Sequence, residues 1–179
     1  MVKASNKSVG LLGGSFDPAH KGHLTISKIA IKKLKLDIIL WIVTKQNPFK
    51  GKSLYSLAQR ISRAKKISRN IKKIKVLHLD KTTKSSRSIN TINHLINKKK
   101  FKNIYFILGA DNLIRFHKWK SWKKIVKMTK LIVFSRRGYD KKSKKSVVAK
   151  YLKNKIIFIN NKPIAISSTL LRKKAQLHN

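Results

Sequence analysis

The sequence predicts a Rossmann-like, doubly wound α/β fold: a parallel sheet of about six strands with helices on both faces. Three observations carry that prediction. Short apolar runs alternate with helix-period segments at ~25–35 residue intervals, the rhythm of strand-helix-strand units. The runs are apolar almost throughout, as strands covered on both faces are. Polar or glycine-containing segments follow most of the runs, where a parallel sheet would gather its ligand-binding loops along one edge.

The elements can be justified in order. Val9-Gly10-Leu11-Leu12 reads as a buried strand. It leads through Gly13-Gly14-Ser15-Phe16-Asp17-Pro18-Ala19-His20-Lys21-Gly22-His23 into a helix with Leu24, Ile29, Ala30 and Leu34 at helical spacing. Residues 37–43 form a second apolar run, and residues 44–52 a polar loop with Pro48 and Gly51. Ser53 is the expected N-cap of a helix whose stripe is Leu54, Leu57, Ala58, Ile61, Ala64 and Ile67. Residues 75–79 supply a third strand, and Ser88 the expected cap of a helix carrying Ile89, Ile92, Leu95 and Ile96.

Residues 103–108 form a fourth strand ending at Gly109-Ala110-Asp111, a turn from which a short helix starts. Helical pieces with Phe116, Trp119 and Trp122 precede a fifth strand at 131–134, a basic loop at 135–145 and a helix at 147–152. Residues 156–159 give the sixth strand, and Ser167-Ser168-Thr169 opens a last helix. No repeat or long linker interrupts the series, so residues 1–179 are expected to form one domain.

Composition narrows the chemistry. The absence of cysteine excludes disulfides, thiolate zinc sites and cysteine nucleophiles. The first eight residues lack the apolar stretch of a signal peptide, and no run nears the ~18 apolar residues that span a bilayer. A cytoplasmic protein without membrane association is the expectation. The net charge of +40 invites a reading as a basic nucleic-acid-binding module. Against it, only eight of the 45 basic residues are arginine, and the lysines are spread through almost every segment rather than gathered in a patch. No specific nucleic-acid partner is expected, although such a field should speed encounters with anionic nucleotides.

The chemistry is concentrated in the first loop. Gly13 and Gly14 let the backbone approach a ligand closely, and His20 and His23 stand where a helix begins. Unpaired N–H groups and a partial positive charge at a helix start favour an anion, and imidazoles add directional donors. Other nucleotide-binding phrases fail. There is no G-x-G-x-x-G, and Gly51-Lys52-Ser53 has Gln46 where a P-loop needs its first glycine.

The whole phrase GGSFDPAHKGH resembles the (H/T)-x-G-H signature of the nucleotidyltransferase superfamily. Near the other end, Ile166-Ser167-Ser168-Thr169-Leu170-Leu171-Arg172 is similar to that superfamily's I-S-S-T-x-x-R phrase. Between them, Leu108-Gly109-Ala110-Asp111-Asn112-Leu113, the segment from Phe116 to Trp122, and the segment from Trp41 to Lys50 resemble bacterial nicotinate-nucleotide adenylyltransferases. The resemblance covers nearly the whole chain. It implies transfer of AMP from ATP to nicotinate mononucleotide, giving nicotinate adenine dinucleotide and pyrophosphate.

The resemblance also implies roles. Gly13, Gly14, Ser15, Phe16, Gly109 and Asp111 would bind ATP, with His23 donating to its α-phosphate and His20 to the phosphates beside it. Ser167, Ser168 and Arg172 would hold the leaving phosphates, and Mg²⁺ would be bound mainly through the ATP phosphates. Gly14, Ser15, Thr44, Lys45, Lys50, Trp119 and Arg136 would hold the mononucleotide, with Trp119 near its pyridine ring. The alternative acceptors are nicotinamide mononucleotide and phosphopantetheine, and a homo-oligomer is left open. Arg87 stands where the family carries tyrosine, and Asn90 where it commonly carries a carboxylate.

Overall fold

The computed structural model describes residues 5–46, 51–161 and 166–176. Its six strands are β1 (Ser5–Gly14), β2 (Ile38–Val43), β3 (Ile74–Leu77), β4 (Phe101–Gly109), β5 (Lys130–Phe134) and β6 (Ile156–Ile159). They form one sheet in the order β3-β2-β1-β4-β5-β6, and every neighbouring pair is parallel. Strand order therefore reverses between β1 and β4, and a crevice opens beyond their carboxyl ends at Gly14 and Gly109.

The helices are α1 (Lys21–Lys33), α2 (Leu57–Ser68), α3 (Asp80–Thr83), α4 (Ser88–Asn97), α5 (Ala110–Arg115), α6 (Trp122–Met128), α7 (Asp140–Lys144), α8 (Val147–Leu152) and α9 (Ser168–Gln176). Alternate residues of each central strand face opposite layers, as the two-residue period requires. Leu11, Leu40, Ile42, Phe106 and Leu108 pack with α4, α5, α6 and α8. Leu12, Ile39, Trp41, Ile107 and Phe134 pack with α1 and α2. The central strands pack too closely to admit a side chain everywhere. A Cβ on Gly10 would lie 2.8 Å from both Ile39 and Leu36.

The structure departs from the sequence expectations in instructive places. Ser56, not Ser53, caps α2: its Oγ accepts from Gln59 N, and Gln59 Oε1 accepts from Ser56 N. The delay has a cause, since the backbone N–H groups of Leu54 and Tyr55 donate instead to the carboxylate of Asp17, at 3.0 Å each. Ser88 is the first residue of α4, with Arg87 as its N-cap and no side-chain cap bond. The short helices α3 and α7 were not expected. Each begins at an aspartate, and α7 lies within the basic segment read as a loop. Each is too short for a periodic apolar face to betray it.

Candidate active site

The β1–α1 loop is fixed from several sides. Phe16 is buried with φ of 47° and its ring lies 5.2 Å from that of Trp41 and 4.7 Å from that of His23. Thus the phenyl ring supports the imidazole from the core side. Trp41 is itself pinned, its Nε1 donating to Ser27 Oγ at 2.9 Å. Beneath the loop lies Arg60, only 2 % exposed, which donates to the carbonyls of Ser15 at 2.7 Å, Thr44 at 2.8 Å, Lys45 at 2.9 Å and Tyr55 at 3.1 Å. Burial lowers its pKa, while Asp17 and Asp80 act in the opposite direction. One guanidinium thereby ties together the loops that follow β1 and β2.

His20 and His23 form a reciprocal cap on α1. Gly22 N donates to His20 Nδ1 at 3.1 Å, and His20 N donates to His23 Nδ1 at 3.2 Å. A ring nitrogen that accepts a hydrogen bond carries no proton, so the proton of each neutral imidazole sits on Nε2. The rings lie 4.0 Å apart. The cap therefore sets the tautomer, making both Nε2 atoms donors at the positive end of a 13-residue helix.

Residues 150 positions downstream complete the loop. Ser168 Oγ donates to Pro18 O at 3.0 Å, and Arg172 donates to Asp17 O at 2.8 Å with its Nη1 3.7 Å from the Asp17 carboxylate. Ser167 caps α9, its Oγ accepting from Leu170 N. The structure thus brings Ser167, Ser168 and Arg172 to the segment just before the histidine pair.

On the other face of the sheet a cleft of about 240 Å³ opens at the carboxyl ends of β1 and β2. Gly13, Gly14 and Thr44 form its inner edge, and Arg87, Ser88 and Thr91 one wall. Trp119 forms another, its ring 5.0 Å from that of Phe116 and 6.2 Å from that of Phe106. The tryptophan therefore packs on the core and lines the cleft at once. A Cβ on Gly13 would meet nothing within 4 Å and would project into open space. Thr44 donates to Gly14 O through both its N–H and its hydroxyl, at 3.0 and 3.3 Å.

The remaining expected residues fall as follows. Gly109 and Asp111 stand at the end of β4, where Asp111 pairs with the guanidinium of Arg136 and its Oδ1 is buried with no hydrogen-bond partner among the described residues. Arg136 is therefore engaged beyond β4 and β5 and does not line the cleft with Thr44 and Trp119. Lys45 is exposed, its N–H donating to Asp80 Oδ2 at 2.7 Å. Lys50 lies outside the described residues. Among the described residues no group of three His, Cys, Asp or Glu side chains could hold a metal, and no helix is long and apolar enough to cross a membrane.

Sequence reasoning missed Asp17, Arg60 and Asp80 as organisers of these loops. Two signals were available: a carboxylate inside the glycine-histidine phrase of a chain with only five acids, and an arginine on the apolar face of α2, between Leu57 and Ala64.

Comparison with known proteins places this architecture. The cytidylyltransferase-like family model matches residues 11–174. The chain is 52% identical over 180 residues to the "Probable nicotinate-nucleotide adenylyltransferase" of Pelagibacter ubique (strain HTCC1062), covering 97% of this chain and 99% of that one. The chain belongs to the nicotinate-nucleotide adenylyltransferases.

This nicotinate-nucleotide adenylyltransferase family member is also 37% identical over 131 residues to the Rhizobium johnstonii protein of the same printed name, covering 73% of this chain and 65% of that one. Among solved structures, the Plasmodium falciparum nicotinic acid mononucleotide adenylyltransferase complexed with NaAD shares the fold. The TM-score is 0.74 at 21% identity, covering 94% of this chain and 83% of that one.

Proposed function

We propose that this adenylyltransferase works in the cytoplasm, transferring AMP from ATP to nicotinate mononucleotide and releasing nicotinate adenine dinucleotide and pyrophosphate. One observation carries the assignment of roles. The imidazole pair stands on one side of the glycine turn and the aromatic cleft on the other, so a triphosphate and a mononucleotide held there would meet over Gly13 and Gly14.

In this reading the 5′-phosphate of the mononucleotide attacks the α-phosphorus of ATP in line, and pyrophosphate leaves. No side chain becomes covalently modified. The protein positions two anions and stabilises charge spreading over phosphate oxygens. Nε2 of His23 donates to the α-phosphate and Nε2 of His20 to its neighbour, while the start of α9 and Arg172 stabilise the leaving pyrophosphate. Asp111, with one buried oxygen lacking a partner, suits ribose hydroxyls on the ATP side. Mg²⁺ would be carried mainly on the ATP phosphates rather than caged by protein, the usual arrangement for this cation at a polyphosphate. Bound there, it would neutralise phosphate charge.

The test is release of pyrophosphate from ATP and magnesium on addition of nicotinate mononucleotide. Loss of one preorganised donor costs about 10²–10³ in turnover, so His23→Ala should fall by at least that much while remaining folded by circular dichroism. A folded His23→Ala protein of normal kcat would remove His23 from the mechanism.

A further inference from the structure

Among the described residues, the cleft that would receive the mononucleotide is lined by three cations and no carboxylate: Arg87 on the α4 side, and Lys118 and Lys120 flanking Trp119. Of these, Arg87 has the geometry and chemistry of a reader. It is the N-cap of α4, held extended at φ −79° and ψ 133°, and its own N–H donates to Ser85 Oγ at 3.1 Å. Among the described residues no hydrogen bond or ion pair engages its guanidinium. Among the described residues it is the only arginine lining the cleft, in a chain that otherwise uses lysine for almost every cation. A guanidinium presents a fork that matches a carboxylate through two parallel bonds, which an ammonium cannot do.

A heteroaromatic ring that lies along Trp119 is confined between that wall and α4, with its substituent toward the helix start. An ionised carboxyl substituent there gains a charge-assisted pair of bonds, whereas a carboxamide offers one neutral acceptor and two donors that a cation cannot satisfy. We propose that Arg87 is the specificity residue that makes the enzyme favour a mononucleotide bearing a pyridine carboxylate over its carboxamide analogue. The inference rests on the adenylyltransferase reading and adds to it a residue at which this chain departs from the family's tyrosine. Because Arg87 is exposed, solvent moderates the gain, and the expected effect is about tenfold rather than thousandfold.

The experiment measures kcat/KM for nicotinate and nicotinamide mononucleotides at saturating ATP and magnesium. The proteins are the wild type, Arg87→Gln, Arg87→Lys and, as a control for overall charge, Lys155→Gln at the opposite end of the sheet. The acid-to-amide ratio should fall about tenfold in Arg87→Gln, through a higher KM for the acid, and partly recover in Arg87→Lys. Lys155→Gln should match the wild type, because one charge in +40 barely alters the general field. A ratio unchanged in Arg87→Gln, or an equal loss with both acceptors, would overturn the role of Arg87 while leaving the function standing. A wild type that transfers AMP to neither mononucleotide would overturn the function itself.

Discussion

At the scale of single residues, the histidine pair caps a helix, and one substitution series separates that task from the phosphate-binding role proposed for it. Each Nδ1 accepts a backbone N–H at the α1 start, and this fixes the proton on Nε2. Removing the His20 ring should cost about 1 kcal/mol of stability, the usual effect of losing an N-cap. Serine is a competent cap but offers no donor at the reach of Nε2. His20→Ser should therefore unfold in urea near the wild-type midpoint, and His20→Ala earlier. Both should share the same deep loss of turnover. Recovery of activity by the serine variant would mean that the imidazole serves the helix alone.

At the scale of elements, Arg60 joins pieces that sequence distance keeps apart. Truncating it to methionine leaves the carbonyls of Ser15, Thr44, Lys45 and Tyr55 without their donor in a buried setting, a loss of about 3–5 kcal/mol that urea unfolding would register. The same change should raise the KM of the mononucleotide, because Thr44 lines the cleft proposed to receive it. Its unchanged stability would show that the four bonds are replaceable.

The strands were legible because their apolar runs are long and buried on both sides, as at 37–43 and 103–108. Helix starts were less so. Ser53 lost the cap of α2 to Ser56 because Asp17, 36 residues earlier, captures the intervening backbone, and no local pattern encodes that. His20, His23, Ser168 and Arg172 sit in recognisable phrases, and the fold brings these phrases together at one loop. Arg136 shows the limit. A basic residue after a strand can be placed at the correct edge by topology, but whether it faces the cleft or Asp111 depends on loop geometry.

At the scale of the whole molecule, the excess charge acts on both rate and stability. With 45 cations against five aspartates, self-repulsion opposes compaction, and salt that screens it should raise the melting temperature. The same salt should lower kcat/KM for both anionic substrates, since the Debye length shrinks from ~10 Å at 0.1 M to ~3 Å at 1 M. Opposite slopes of melting temperature and kcat/KM against potassium chloride are expected, and parallel slopes would contradict an electrostatic origin.

The five carboxylates that the chain retains all have employment. Asp17, Asp37, Asp80 and Asp140 each accept backbone N–H groups, and Asp111 holds Arg136. Acids that merely decorate a surface are absent, so the charge is extreme while the ties that shape the loops persist.

The grip of α9 on Asp17 and Pro18 has a temporal consequence. A ribosome makes the glycine turn about 150 residues before the helix that braces it. A nascent chain therefore carries an unbraced glycine-histidine loop while the intervening strands are made, and the brace closes only when Arg172 reaches the Asp17 carbonyl.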